Sequence, residues 1–226
     1  MCGRYVTPDE AALERFWTLD RRHWNPLRGS FNAAPTSIVP IVRRAADGAS
    51  DLLPARWGLV PHWWSKAKLP TLTFNARSEE VADKPMWRDS YRRMRCLMPA
   101  RGWYEWQARA PAPGAGKRRS PKQPYYVYSD ASPVIAFAGL MAVWRTPDDQ
   151  RLVSCAVLTR PAAPGLAHIH ERMPVVLAPE AYAPWLAPET SVEELNRLVS
   201  EAREDFASRA VSASAAVPDA ALEPSR

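Results

Sequence analysis

A single domain of strands interleaved with short helices is what this sequence predicts, and three observations carry that expectation. The chain has 226 residues, enough for one well-cored domain and short for two. Short β-branched and aromatic runs, bounded by Pro, Gly or Asn, recur from Ile38 to Leu177. Capped helical patterns are few and short. No apolar run approaches the ~20 residues of a membrane span, and no basic-then-apolar signal segment opens the chain, so a soluble intracellular protein is expected.

Thr7-Pro8-Asp9-Glu10 supplies an N-cap, a Pro at the first helical position and a capping-box Glu. The helix that follows would bury Leu13, Phe16 and Trp17, spaced i, i+3, i+4. Asp20 to Arg28 reads as irregular, and Phe31 to Thr36 as a shaped turn before a strand at Ile38 to Arg43. Asp47-Gly48 is a hairpin turn, and the return strand falls near Ala55 to Val60. Thr73 to Glu80 runs from strand into helix with Ser78 as N-cap. Arg88, Arg92, Arg93 and Arg95 read as a solvated basic face. Strands return at Arg95 to Trp106, Tyr125 to Tyr128, Val134 to Val143 and Leu152 to Leu158. Ser191, with Glu194 as partner, caps a last helix that buries Val192, Leu195, Leu198 and Val199. The domain is expected to span 1–206, with a basic Pro/Gly-rich loop at 108–122 and a disordered Ala/Ser/Pro tail at 207–226.

Three cysteines, Cys2, Cys96 and Cys155, form neither a disulfide framework nor a metal-ligand cluster. Cys96 and Cys155 lie in apolar runs and read as inert core. Cys2 differs. Removal of Met1 would leave an α-amine of pKa ~7.7–8.0 beside a thiol of pKa ~8.5, two nucleophiles partly deprotonated near neutral pH. Such a 1,2-aminothiol can capture an aldehyde as a Schiff base and close it to a thiazolidine, or serve as an acyl-transfer nucleophile. Position alone favours reading Cys2 as simply a small second residue, and the rest of the chain has to promote it.

The net charge of +6 favours a polyanionic partner. Among ten Trp, Trp63 and Trp64 stand together on a Pro-bounded loop, where they either fold back on the core or stack against bases. Asn75 either bonds local backbone or presents its amide to a reacting group. Arg77 holds either a phosphate or a surface carboxylate. Glu105 lies between Tyr104 and Trp106. It is either a desolvated proton carrier or an outward strand residue between inward aromatics. His168 and His170, beside Arg172, enter an apolar strand, as structural groups or as proton carriers.

The ordered set Met1-Cys2-Gly3-Arg4-Tyr5, Ala34-Pro35-Thr36, Trp57 to Trp64, Asn75 to Glu79, Gly102 to Trp106 and His170 to Pro174 resembles the SRAP family of SOS response-associated peptidases. Members of that family handle abasic sites in single-stranded DNA. The resemblance runs to about Pro179. It implies a compact α+β fold, a β-barrel-like core of mostly antiparallel strands with a few peripheral helices. It implies that Cys2 forms a thiazolidine crosslink with the sugar aldehyde. Asn75 would orient the N-terminal residue, Glu105 would move protons, and His170 would assist sugar-ring opening. Arg4, Arg77 and Arg172 would hold phosphates, and Trp63 and Trp64 would stack on bases. The partner implied is single-stranded DNA with abasic sites, met by a cytoplasmic, nucleoid-associated monomer that uses no cofactor or metal.

Two other classes fit parts of the sequence. N-terminal-nucleophile amidohydrolases also begin Met-Cys-Gly, but need neither Trp-rich loops nor a basic cleft. A non-catalytic single-strand-binding module would make Cys2 incidental. Peptidase activity limited to self-processing at Met1 is a third reading.

Overall fold

Side chains two residues apart share a face of a strand, and that rule divides the long apolar run Ile135–Arg145 between two cores. Ile135, Phe137 and Met141 point into one cluster, Ala136, Ala138, Leu140 and Ala142 into another. A strand buried on both faces reads as continuously apolar, so alternation does not mark it in the sequence. The computed structural model describes residues 2–16, 29–66, 68–108, 122–146 and 148–212. Its strands are β1 (Arg4–Val6), β2 (Ile38–Arg44), β3 (Ser50–Trp57), β4 (Asn75–Arg77), β5 (Arg95–Ala100), β6 (Gly102–Ala108), β7 (Lys122–Tyr128), β8 (Ile135–Arg145), β9 (Arg151–Pro161), β10 (Arg172–Pro174), β11 (Val176–Leu177) and β12 (Ala207–Ala210). Short helices α1 (Glu10–Phe16), α2 (Arg88–Arg93), α3 (Tyr182–Leu186) and α4 (Val192–Ser200) lie between them.

The order β9–β3–β2–β5–β8 closes on itself because β8 also pairs with β9. Only the β3–β9 contact within this barrel is parallel. The fold is therefore α+β with a barrel-like core of mostly antiparallel strands, as the family resemblance implies. A second, antiparallel sheet runs β1–β6–β7–β12. The inner core gathers Ile41, Trp57, Met98, Trp103, Phe137 and Cys2. The outer core packs Leu97, Leu140 and Leu158 against Tyr91 of α2, Trp185 of α3 and Leu195 of α4. Gly139 stays small because a Cβ there would lie 2.7 Å from Cys96 Sγ. No helix among the described residues is long and apolar enough to cross a membrane.

Local chemistry explains several elements. Gly48, at φ +87°, turns β2 into β3, a left-handed conformation that glycine adopts without strain. The Ser191 hydroxyl accepts from the Glu194 N–H at 3.2 Å, so α4 starts where its capping pattern predicts. The first helix starts later than predicted. Asp9 Oδ1 accepts from the Ala12 N–H at 2.8 Å, whereas the Thr7 hydroxyl accepts from the Ser30 N–H at 2.6 Å and ties down the next segment. Ser78 opens a series of turns instead of a helix, its N–H held by the Thr159 carbonyl at 2.9 Å. The tail also begins later than expected: Ala207–Ala210 pairs in register with Tyr125–Tyr128, because an exposed edge of β7 leaves backbone groups to satisfy. Trp17, the stretch 20–28, loop residues 109–121 and tail residues 213–226 lie outside the described residues.

Arg95 departs furthest from expectation. Arg88, Arg92 and Arg93 are exposed, but Arg95 is buried. It donates to the carbonyls of Trp185 at 2.7 Å, Tyr91 at 2.7 Å and Ala187, capping the end of α3. Arg95→Met would leave these buried acceptors without donors, at a cost of roughly 1–3 kcal/mol for each one left unsatisfied. The expected result is a clearly lowered urea midpoint with an unchanged m-value.

Candidate functional site

The N-terminal strand brings Cys2 to its place. Arg4, Tyr5 and Val6 pair with Tyr104, Trp103 and Gly102, and continuing that register carries the residues before Arg4 to the level of Glu105. Gly102 permits this edge: a Cβ there would lie 2.4 Å from the Val127 carbonyl oxygen. Asn75 arrives on β4, which lies parallel to β9. Its Nδ2 donates to the Cys2 carbonyl at 2.8 Å, while its Oδ1 is buried and accepts no hydrogen bond among the described residues. Glu105 shares the inward face of β6 with Trp103, and Tyr104 and Trp106 take the opposite face by alternation. His170 follows the turn 164–169 and precedes β10. Glu105 and His170 line one cavity of about 10 Å³ with Trp103 and Met173, room for about one water.

Burial sets the acidities here. The Glu105 carboxyl is pushed up to about 7 by desolvation, partly offset by the positive amino terminus. Desolvation lowers the His170 pKa, and the charge at the amino terminus lowers it further. The Cys2 thiol is raised well above its ordinary value, first by burial and then by the Glu105 charge. This corrects the expectation of a partly ionised thiol. Cys2 is fully buried, so its resting form is S–H and the amine is the readier nucleophile. Cys2 and Glu105 are thus within electrostatic reach of each other, and Glu105 shares one cavity with His170.

The SRAP model, described as SOS response associated peptidase, matches residues 1–217. The chain belongs to the SRAP family. The abasic site processing protein YoqW of Bacillus subtilis is 34% identical over 200 residues, covering 84% of this chain and 82% of that protein. The abasic site processing protein YedK of Escherichia coli is 31% identical over 175 residues, covering 76% of this chain and 71% of its own. A crystal structure of a phage-related protein from Bordetella bronchiseptica aligns with TM-score 0.69 at 29% identity, covering 93% of this chain and 94% of that one.

In this SRAP chain, the remaining candidate residues divide. Arg4 is half-buried, with Nη1 3.3 Å from Asn32 Oδ1, and Arg77 is exposed at the end of β4. Trp63 is exposed, with Trp64 beside it at 6.2 Å between ring centroids. The Trp64 indole N–H bonds the Lys68 carbonyl at 3.1 Å, and its backbone carbonyl accepts from Trp144 at 2.7 Å, so the loop is braced with Trp63 outward. Trp57, Trp87, Trp103, Trp144 and Trp185 are core. His168 turns outward, near Tyr125, leaving His170 as the histidine at the cavity.

Arg172, expected to hold a phosphate, is buried, with Nη1 and Nη2 on the two carboxylate oxygens of Glu79 at 2.5 and 2.9 Å and Nη2 on the Thr159 carbonyl at 2.7 Å; it lines the same cavity as Glu105 and His170, and its Nε has no partner among the described residues. Burial selects this arrangement, because a guanidinium taken out of water needs a carboxylate and acceptors around it. Glu79 was not singled out from the sequence. Its signal was its place at the end of the Asn75–Glu79 motif.

Proposed function

We propose that this chain processes abasic sites in single-stranded DNA, capturing the ring-opened sugar aldehyde on Cys2 as a thiazolidine crosslink. The observation that carries the reading is the meeting, near the start of the chain, of Cys2, an amide on its carbonyl, a carboxyl near pKa 7 that acts on its thiol, and an imidazole in the same cavity as that carboxyl. The names of the relatives support the substrate class.

Removal of Met1 makes the Cys2 amine the chain terminus. The neutral amine adds to the aldehyde carbon, giving a carbinolamine. Expulsion of water from that adduct needs an acid, and a carboxyl that is half protonated near pH 7 can supply the proton and take one back. The Cys2 S–H then adds across the C=N bond: sulfur bonds to carbon and the thiol proton ends on nitrogen. The net change is one water lost per crosslink. His170 assists opening of the sugar ring, the step that frees the aldehyde. Asn75 Oδ1, which has no partner among the described residues, is an acceptor beside Cys2 for the amine N–H. Arg4 and Arg77 hold flanking phosphates, and Trp63 and Trp64 stack where the strand bends. Reversal, or strand cleavage when thiol closure fails, uses the same acid and base.

Mixing the protein with single-stranded DNA bearing one abasic site should give a shift that survives denaturing electrophoresis. DNA without the site should give none. Absence of a shift, with a free Cys2 terminus verified by mass spectrometry, would sink the proposal.

A further inference from the structure

We infer that Glu79 and Arg172 are positioning residues for His170: their buried ion pair clamps the His170 segment to the Asn75 strand and holds the imidazole in its Nε2–H tautomer. The activity readout of this inference rests on the abasic-site reading, but its structural readout does not.

β4 and β10 lie on opposite edges of the end of β9, with Arg77 paired to Thr159 on one side and Pro174 paired to Thr159 on the other. The Glu79–Arg172 pair bridges over that residue. Arg172 reaches from β10, bonds the Thr159 carbonyl and its hydroxyl, and closes two parallel bonds on the carboxylate of Glu79, two residues past β4. Bidentate, charge-assisted pairs of this kind fix geometry as well as adding energy. One end of the bridge is thus two residues from His170, and the other is on the segment whose Asn75 holds the Cys2 carbonyl.

The backbone of the same Arg172 sets the imidazole. Its N–H donates to His170 Nδ1 at 2.9 Å. A backbone N–H can only donate, so Nδ1 must offer its lone pair, and in the neutral ring the proton sits on Nε2. Protonating Nδ1 would set two N–H groups face to face, so the bond opposes the cation. His170 is thereby a neutral N–H donor at Nε2, suited to a sugar oxygen that gains charge as the ring opens. Any shift of β10 relative to β4 would move that donor, and a displacement of about 1 Å at a reacting centre can cost ~10²-fold in rate. The pair is where such a shift is resisted. Arg172 is 9% exposed and both its Nη groups are engaged; it lines the cavity beside His170, and its positioning role runs through the Glu79 pair and its own backbone N–H.

The test reads the ¹⁵N shifts of the His170 ring, assigned by loss of its signals in His170→Ala. The chain has only four histidines. Wild type should show the Nε2–H pattern. Glu79→Ala and Arg172→Met should show mixed tautomers, with Glu79→Gln, which keeps size and polarity, as the variant least prone to misfold and intermediate in effect. In crosslinking at saturating abasic DNA, Glu79→Ala should fall ~10–100-fold, with affinity for undamaged strand changed less than about threefold. The double variant should be no slower than the worse single one. An Nδ1–H pattern in wild type overturns the inference, as does Glu79→Gln with tautomer and rate both unchanged. So does weaker binding and a flatter salt slope for Arg172→Met with no effect of the Glu79 variants, the signature of a phosphate contact. If wild type forms no crosslink at all, the abasic-site reading fails and the tautomer measurement alone decides this one.

Discussion

Cys2→Ala is expected to abolish the denaturant-stable DNA product, a loss of at least ~100-fold in crosslink yield, while the protein still binds undamaged single strands. The reason is the division of labour between two atoms. The amine makes the reversible imine and the sulfur makes the five-membered ring that persists. An N-terminal Ala retains the amine, so borohydride should still trap an imine when denaturation alone shows nothing. Cys2 is buried in the inner core, and Ala leaves only a small void, so folding should survive. The measurement is a denaturing gel with and without borohydride. Wild-type levels of stable product from Cys2→Ala would return Cys2 to an incidental core residue and favour a non-catalytic single-strand binder.

Glu105→Gln should slow crosslinking by ~10²–10⁴-fold, because Gln can neither give nor take the proton that dehydration of the carbinolamine requires. The same variant carries a stability signature of defined sign. Glu105 is 3% exposed and its carboxyl titrates at about 7, against ~4.3 in an unfolded chain. Between these values the native state holds a proton that the unfolded chain has released, so native stability falls as pH rises through this window. Glu105→Gln lacks that dependence. Relative to wild type it should gain up to ~3 kcal/mol on going from pH 4 to pH 8. Urea midpoints at the two pH values read this directly. A difference between variant and wild type that stays constant with pH would mean that Glu105 is an ordinary surface carboxylate.

Alternation could not decide Glu105, because a strand places neighbours on opposite faces without saying which face is inside. Trp103 and Glu105 face the core, while Tyr104 and Trp106 lie on the opposite face. The pairing of β6 with both β1 and β7 made that choice. Arg95 and Arg172 show the same limit. Both are arginines in basic or polar surroundings of sequence, and both are buried because distant segments supply their acceptors, the end of α3 for Arg95 and the Asn75–Glu79 turn for Arg172. Thr7 was misread for a related reason, since Ser30, 23 residues away, competed for the hydroxyl that a local capping rule assigns to the helix.

By itself the sequence determined what depends on order and on local chemistry. That includes the family through its spaced motifs, the reactive chemistry available to a Cys at position 2, the strand-rich single domain, the turn at Gly48 and the cap at Ser191. The closure of the barrel, the burial of the Cys2 thiol and its consequent protonation, the raised pKa of Glu105 and the Glu79–Arg172 ion pair were decided by tertiary structure, whereas the motif before Glu171 already pointed to His170 over His168. Desolvation and ion pairing depend on which segments meet. Residues 2, 75, 105 and 170 come to one place only when β1, β4, β6 and β10 are assembled around β9 and the second sheet.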